Sequence, residues 1–215
     1  MKTLVQCDFD GTLTVGEVSH ILLEEFAEGD WKAVGKDYRE GRITVEECNA
    51  RQFAMVSASR ETLTDFLLHS GRVVLRDSFK DLLDYGKQHD FDFAIISNGL
   101  QFYIDIILEN LGIDNIEVFA AQSRFRTDGI ELIYIGPDGS RMSSGFKAAY
   151  ADMLRARGYE TLYYLGDGSA DVAPARHATR IFATDKLPRF CREEGLDCTP
   201  FEDLHDVVKA LEDGG

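Results

Sequence analysis

The stretch "CDFDGTLT", residues 7–14, places Asp8 and Asp10 two residues apart at the end of a short apolar run. Residues 3–9, "TLVQCDF", have the composition of a buried β-strand. A buried carboxylate without a partner is costly, and proteins avoid it by pairing, metal coordination or protonation. The stretch therefore predicts a strand that ends in a charged site, whose compensating partners come from elsewhere in the chain.

The composition is that of an ordinary globular protein, with 215 residues of which 44 % are hydrophobic and 28 % charged. A chain of this length forms one domain with a large insert, or two small domains. No apolar run reaches the length of a membrane span and the first ten residues lack a secretory apolar region, so we expect a cytoplasmic protein with no membrane partner. The four scattered cysteines form no Cys-x-x-Cys pair, which argues against a zinc site or a disulfide framework.

The net charge of −15, from 38 acidic and 23 basic residues, argues against sequence-independent binding to nucleic acid. It does not exclude a small anionic substrate. Such a substrate needs positive charge concentrated locally by a metal ion, a lysine or helix N-termini. Both a monomer and a homodimer are compatible with this composition.

Beyond the first strand, short apolar segments alternate with amphipathic helices, a pattern typical of a parallel α/β sheet. The later strands are predicted over residues 91–97, 116–121, 161–167 and 179–184. We therefore expect a Rossmann-like core. The turn signals "TDG" and "PDG" within residues 122–143 predict a β-hairpin, and "TPFED" from Thr199 predicts the start of the last helix.

Residues 15–75 differ, because they contain only helix-like segments, one of which begins with a capping sequence at Thr44. A helical block inserted after the first strand indicates a separate cap over the sheet. The predicted domains are therefore an α/β core of residues 1–14 and 76–215 and a helical cap of residues 15–75.

Polar residues follow three of the predicted strands, at the edge where ligands bind in parallel α/β sheets. They are Asp8 and Asp10, then Ser97-Asn98-Gly99, then "GDGSAD" with Asp167 and Asp171. Four converging acids require a cation, and oxygen ligands favour a hard ion such as Mg²⁺. Lys147, near a predicted helix start, supplies a second candidate for positive charge. The simpler interpretations are helix caps for Asp171 and for Ser97-Asn98-Gly99, and a surface position for Lys147.

Taken in chain order, "DFDGT", "SNG", Lys147 and "GDGSAD" resemble the four motifs of the haloacid dehalogenase superfamily in its phosphatase form. The position of the helical block is similar to the small cap of the phosphoserine phosphatase-like branch. The opening "CDFDGTLT" and residues 182–204 also resemble methionine-salvage phosphatases, which act on 2-hydroxy-3-keto-5-methylthiopentenyl-1-phosphate. The resemblance implies a HAD-like α/β core, catalysis through an aspartyl-phosphate, and Mg²⁺ as the cofactor.

The resemblance also implies individual catalytic roles. Asp8 would attack phosphorus, and Asp10 would protonate the leaving alkoxide and then activate water. Lys147 would bind the phosphoryl group and restrain Asp8. Mg²⁺ would be held by the Asp8 side chain, the Asp10 backbone carbonyl and Asp167, with Asp171 supporting the metal site and Lys147.

Six residues are expected to bind the substrate, namely Thr12, Glu17, Arg51, Ser97, Asn98 and Gly99. Glu17 matches a glutamate that phosphoserine phosphatases use near the substrate amine. Gln52, next to Arg51, stands where those enzymes carry a carboxylate-binding arginine. Solvated surface positions are the simpler interpretation for both Glu17 and Arg51.

The expected function is an Mg²⁺-dependent phosphatase of a small phosphorylated metabolite. The methylthiopentenyl phosphate, phosphoserine and other phosphomonoesters remain candidate substrates. A phosphomutase and a non-catalytic protein that binds a phosphorylated ligand are the alternatives. The presence of Asp10 argues against the second alternative, because a binding protein has no need of an acid for the leaving group.

Overall fold

Seven strands form the sheet in the computed structural model, which describes residues 2–213. They are β1 (Thr3–Cys7), β2 (Phe91–Leu100), β3 (Glu117–Arg126), β4 (Gly129–Ile133), β5 (Thr161–Gly166), β6 (Arg180–Ala183) and β7 (Thr199–Pro200). Their order across the sheet is β4-β3-β2-β1-β5-β6-β7, and only β3 and β4 pair antiparallel. The predicted α/β fold is confirmed, and β3 and β4 form the hairpin.

Ten α-helices accompany the sheet among these residues. Four lie within residues 15–75 as α1 (Val18–Phe26), α2 (Trp31–Arg39), α3 (Val45–Phe53) and α4 (Arg60–His69). The others are α5 (Phe79–Gln88), α6 (Gln101–Asn110), α7 (Phe146–Arg155), α8 (Val172–Ala175), α9 (Leu187–Glu194) and α10 (Leu204–Glu212), and a 3₁₀ turn, Ser169–Asp171, precedes α8. None of the helices in residues 2–213 is long and apolar enough to cross a membrane.

The central position of β1 explains why all of its residues are buried. It pairs with β2 on one side and with β5 on the other, and all five of its residues are buried. Strands covered on both faces read as continuous apolar runs rather than as alternating ones. The strand ends at Cys7, so Asp8 is the first residue of the loop beyond it.

One predicted helix start is wrong, and one predicted helix cap does not form. Ser97, Asn98 and Gly99 belong to the end of β2, where the pairing register with β3 shifts, and Leu100 precedes α6, which begins at Gln101. At the C-terminus, "TP" of "TPFED" pairs with β6 as a short edge strand, a position in which proline is tolerated. The last helix is capped instead by Asp203, whose side chain accepts a hydrogen bond from the His205 N–H.

The chain enters and leaves residues 15–75, here called the helical segment, at one point beside the sheet. Thr14 and Leu75 form an isolated antiparallel bridge, the Val15 N–H donates to the Val74 carbonyl at 2.8 Å, and the Arg76 N–H donates to the Leu13 carbonyl at 2.8 Å. All regular elements between these crossings are helices. The predicted cap boundaries, residues 15 and 75, fall at this bridge.

The helical segment shares a hydrophobic core with the sheet. Leu22 and Phe53 from α1 and α3 lie in the same buried cluster as Phe9 and Tyr103. Fully burying one such side chain is worth about 1.5–3 kcal/mol. This shared packing holds α1 to α3 over the carboxyl ends of the central strands.

Candidate active site

The candidate site lies beside β1, where successive strands of the chain are added first on one side of the sheet and then on the other. From β1 the chain continues to β2 and β3 on one side, and it later returns to β5 and β6 on the other. In open α/β sheets this switch point opens a crevice at the carboxyl ends of the strands. The Asp8 N–H donates to the Leu165 carbonyl at 3.0 Å, which ties the end of β1 to the end of β5. Asp8 and Asp167 therefore enter the same crevice.

Lys147 forms the cationic centre of this crevice. Its side chain is buried, and its Nζ lies 2.8 Å from Asp8 Oδ2 and 2.7 Å from Asp171 Oδ1. Burial alone would lower the pKa of Lys147, but the charges of Asp171 and Asp8 raise it above its ordinary value. Burial raises the pKa of Asp8 to about 6, against the opposing charge of Lys147. Lys147 therefore supplies the compensating charge that Asp8 requires.

Asp171 organises the loop after β5. Its Oδ1 accepts hydrogen bonds from Lys147 and from the Tyr164 hydroxyl, each at 2.7 Å. Its Oδ2 accepts the Asp167 and Gly168 N–H groups at 3.0 and 2.9 Å. Burial raises the pKa of Asp171, but Lys147 and these hydrogen bonds outweigh it, so the pKa lies below its ordinary value. Each carboxylate oxygen is already bonded twice, which suits a supporting role better than direct metal ligation.

The carboxylate of Asp167 differs from that of Asp171 in its hydrogen bonding. It is half-buried, and no donor from residues 2–213 bonds its carboxylate. Burial and the charges of Asp171 and Asp8 raise its pKa to about 9. Oxygens of Asp8, Asp167 and Asp171 lie within 4.8 Å of one another. Carboxylate oxygens at this spacing fit a hard divalent cation, and the unbonded carboxylate of Asp167 is the group that needs one.

Asp10 is held by hydrogen bonds on both of its oxygens. Oδ1 accepts from the Val18 N–H at 2.8 Å, and Oδ2 accepts from the hydroxyl of Tyr103. Burial raises the pKa of Asp10 to about 7, although the Tyr103 hydrogen bond lowers it. A carboxyl group with a pKa near neutrality can both donate and accept a proton, as an acid/base catalyst must.

Arg76 supports the loop that follows β1, a role the sequence pattern did not reveal. Its Nε donates to the Thr12 carbonyl and its Nη2 to the Gly11 carbonyl, each at 3.0 Å. Gly11 has φ +75°, and a Cβ there would lie 2.7 Å from Asp167 Oδ2. The glycine therefore lets the loop turn while passing close to the carboxylate of Asp167.

The end of β2 brings Ser97, Asn98 and Gly99 to the same crevice. The Ser97 hydroxyl accepts a hydrogen bond from the Gly99 N–H at 3.0 Å. The Asn98 carbonyl accepts from Asn49 Nδ2 at 2.8 Å and from the Tyr134 hydroxyl at 2.6 Å. Because Asn49 belongs to α3, the helical segment bonds directly to this strand end.

A cavity of about 570 Å³ opens above these groups, between the sheet and helices α1 to α3. Nine predicted site residues line it, namely Asp8, Asp10, Glu17, Ser97, Asn98, Gly99, Lys147, Asp167 and Asp171. Thr12 does not, because its side chain is fully buried beneath the loop. The crevice thus joins the carboxyl groups of Asp8 and Asp10, the amine of Lys147 and a candidate metal site in one chamber.

A family model described as haloacid dehalogenase-like hydrolase matches residues 5–176 of the chain. The chain belongs to this family. Among curated relatives of this hydrolase, 2-hydroxy-3-keto-5-methylthiopentenyl-1-phosphate phosphatase of Geobacillus thermodenitrificans (strain NG80-2) is 29 % identical over 96 % of this chain and 94 % of the relative. The enzyme of the same name from Bacillus pumilus (strain SAFR-032) is 27 % identical over 96 % of this chain and 89 % of the relative.

Solved structures of phosphoserine phosphatase resemble this haloacid dehalogenase-like hydrolase in fold. A substrate-bound complex has a TM-score of 0.73 at 20 % identity, covering 98 % of each chain. A phospho-aspartyl intermediate analogue has a TM-score of 0.72 at 20 % identity, covering 97 % of this chain and 98 % of that one. At this level of identity the likeness shows the fold, and it covers the helical segment as well as the sheet.

Two charged residues of the helical segment, both predicted to bind substrate, differ in whether they line the cavity of this hydrolase. Glu17 lines the cavity, with its Oε2 3.3 Å from His20 Nε2. Arg51 does not line it, since its side chain is exposed and pairs with Glu47 one helical turn away. Arg39, at the end of α2, is the arginine that reaches the cavity.

The sequence pattern left several cavity residues of the hydrolase without a role. They are Tyr38, Arg39, Val45, Cys48, Asn49, Lys186 and Phe190. Tyr38 and Ser169 join the helical segment to the loop after β5, with their hydroxyl oxygens 3.1 Å apart. Only the packing of α2, α3 and α9 over the sheet brings these positions together, so no local motif marks them.

Proposed function

We propose that this hydrolase is an Mg²⁺-dependent phosphatase that hydrolyses a small phosphomonoester through an aspartyl-phosphate. The observation that carries the proposal is the setting of Asp8, a buried carboxylate fixed by Lys147 at 2.8 Å in a cavity that the carboxyl group of Asp10 also lines. We further propose residues 15–75 as the substrate-selecting cap of the enzyme.

Asp8 is positioned as the nucleophile. Its Oδ1 accepts the Phe9 N–H at 2.7 Å and its Oδ2 accepts from Lys147, which together fix the plane of the carboxylate. In the first step, a carboxylate oxygen of Asp8 bonds to phosphorus while the ester oxygen departs. Asp10 gives its proton to that departing alkoxide, and an acyl phosphate remains on Asp8.

The second step returns the enzyme to its starting state. Asp10, now ionised, takes a proton from a water molecule, and the resulting hydroxide attacks phosphorus. The bond to Asp8 breaks, inorganic phosphate leaves, and both aspartates are ready for another turnover. In this proposal, Lys147 and Ser97 bind phosphoryl oxygens in both steps, and Lys147 offsets their charge.

The metal proposal rests on the donor set already described. Asp8, Asp167 and the Asp10 backbone carbonyl would hold Mg²⁺, which when bound would neutralise charge on the phosphoryl group and on the two carboxylates. Asp171 would position Lys147 and the backbone of Asp167 by its hydrogen bonds. In this scheme, the like-charge repulsion between Asp8 and a phosphate dianion is overcome by groups within the crevice itself.

For the substrate, we propose 2-hydroxy-3-keto-5-methylthiopentenyl-1-phosphate, the compound in the names of the curated relatives. The cavity volume is in the usual range of small-ligand sites, about 300–1,000 Å³. Val45, Cys48 and Phe190 give it an apolar wall, which suits a methylthio tail.

Phosphoserine is the second candidate, favoured by one observation. Glu17 and Arg39 both line the cavity, and this opposite-charge pair suits an amino-acid head group. A panel of phosphorylated metabolites that includes both compounds would separate the candidates by kcat/KM. We expect the methylthiopentenyl phosphate to be the better substrate, and a preference for phosphoserine that is lost in Arg39→Ala would overturn this choice.

The reaction class has a direct test. Purified protein should hydrolyse p-nitrophenyl phosphate with Mg²⁺, lose that activity in EDTA and regain it when Mg²⁺ is restored. Asp8→Asn should abolish turnover, whereas Asp152→Asn, which changes an exposed aspartate that pairs with Arg155, should not. Full activity of Asp8→Asn would remove the nucleophile from the proposal.

A further inference from the structure

Tyr103 is fully buried in the first turn of α6, and its hydroxyl donates a hydrogen bond to Asp10 Oδ2. The only other bond to this carboxylate within residues 2–213 comes from the Val18 N–H, at 2.8 Å on Oδ1. The two donors thus hold one carboxylate oxygen of Asp10 each. Tyr103 comes from the sheet side of the crevice and Val18 from the first helix of the proposed cap.

Gly99 makes this arrangement possible. A Cβ at Gly99 would lie 2.8 Å from Asp10 Oδ2 and 2.8 Å from Tyr103 Cζ, with the Tyr103 hydroxyl closer still. Since real Cβ atoms do not approach so closely, a side chain at residue 99 would push the tyrosine and the aspartate apart. The end of β2 therefore leaves space for the Tyr103–Asp10 hydrogen bond.

We infer that Tyr103 is a positioning residue, which holds the Asp10 carboxyl group where it protonates the leaving oxygen of an alkyl phosphate. The inference rests on the proposed phosphatase function and adds to it a residue outside the four motifs. Without the hydroxyl, Asp10 keeps one hydrogen bond and can rotate about its side-chain torsions. A misplaced acid slows the step that needs its proton, while substrate binding stays intact.

The test compares leaving groups in Tyr103→Phe, which removes only the hydroxyl. An alkyl phosphate needs a proton on its leaving oxygen, whereas p-nitrophenolate departs without one. Because kcat/KM reports the steps up to formation of the acyl phosphate, it isolates the proton donation. We expect kcat/KM to fall at least tenfold for the alkyl phosphate that the wild type hydrolyses best, and less than threefold for p-nitrophenyl phosphate.

The matched control is Tyr150→Phe. It deletes a tyrosine hydroxyl that donates to the Ile135 carbonyl at 2.9 Å, away from the crevice. This variant should keep wild-type kcat/KM on both substrates. Thermal unfolding of the two variants shows whether either change disturbs the fold as a whole.

A double-mutant cycle with Asp10→Asn completes the experiment. If Tyr103 acts through Asp10, adding Tyr103→Phe to Asp10→Asn should change kcat/KM by less than twofold. Three outcomes would each overturn the inference. Tyr103→Phe could lose equal kcat/KM on both leaving groups, it could lose none, or it could lower kcat/KM in the Asp10→Asn background as much as it does alone. Absence of Mg²⁺-dependent hydrolysis in the wild type would instead overturn the proposed function, so the two failures are distinguishable.

Discussion

Replacing Lys147 by methionine should destabilise the protein severely, because it removes the cation from a buried cluster of carboxylates. The Lys147 side chain is 5 % exposed, and its Nζ lies within 2.8 Å of both Asp8 and Asp171. Methionine fills similar space but leaves two buried carboxylates without their charge partner. Removing one member of a buried ion pair costs about 3–5 kcal/mol. For a chain of this length, that loss lowers the melting temperature by roughly 6–20 °C.

The assay is urea unfolding at pH 7 in EDTA, so that metal binding does not compensate for the missing lysine. Lys2→Met is the matched control, since Lys2 pairs with Asp92 at 3.1 Å on the surface, where its side chain is 57 % exposed. Its unfolding midpoint should stay within error of the wild type, because exposed pairs contribute little. Lys147→Met should also lack phosphatase activity with Mg²⁺ present.

The pH dependence of the Lys147→Met defect checks its electrostatic origin. Burial already raises the pKa of Asp8 to about 6 with the lysine in place, and loss of Lys147 removes the main opposing charge. The folded variant therefore binds more protons than the folded wild type near neutral pH. The loss in free energy of unfolding, relative to the wild type, should therefore be smaller at pH 5 than at pH 8. A deficit below about 1 kcal/mol at pH 7 would contradict a buried unpaired-charge cost. A deficit that does not change between pH 5 and pH 8 would indicate a packing defect instead.

Two further predictions concern Asp167 and Glu46. Burial and neighbouring charge raise the pKa of Asp167 from 3.8 to about 9, so this group lowers the stability of the metal-free protein progressively as the pH rises through that window. Asp167→Asn should therefore stabilise the protein in EDTA more at pH 8 than at pH 5, as measured by urea unfolding, and a gain that does not grow with pH would refute the assignment. Glu46 is buried and accepts a hydrogen bond from the Phe146 N–H at 2.9 Å. Glu46→Ala should lower the free energy of unfolding by about 1–3 kcal/mol. It should also reduce kcat, because Lys147 directly follows Phe146. Glu46→Gln should lose less stability and less activity than Glu46→Ala. Glu47→Ala, on the exposed side of α3, is the control, and losses in it equal to those of Glu46→Ala would contradict a specific role for Glu46.

The core of the site was predictable from the sequence because it follows one topological rule. In a parallel sheet, residues after neighbouring strands meet at one edge, so Asp8 and Asp167 could be paired from their positions after two apolar runs. The same rule did not decide the structure of residues 97–99, because "SNG" is equally compatible with a helix cap and with an irregular strand end. The register shift between β2 and β3 decides that question, and a register between distant strands is not visible in either strand alone.

The contacts of the helices in residues 15–75, the proposed cap, could not be predicted in the same way, because a helical period shows which residues share a face but not what that face contacts. On α3, Arg51 and Gln52 are adjacent in sequence but differ in environment, since Arg51 is exposed and Gln52 is 3 % exposed. The contact face of the helix bonds to both of the proposed phosphate-binding regions, through Glu46 to the first residue of α7 and through Asn49 to the end of β2. A cap that only selected substrates would need no such bonds. Because one helix supports both Lys147 and Ser97 through their neighbours, substitutions on its inner face should alter the rate of the reaction as well as the choice of substrate.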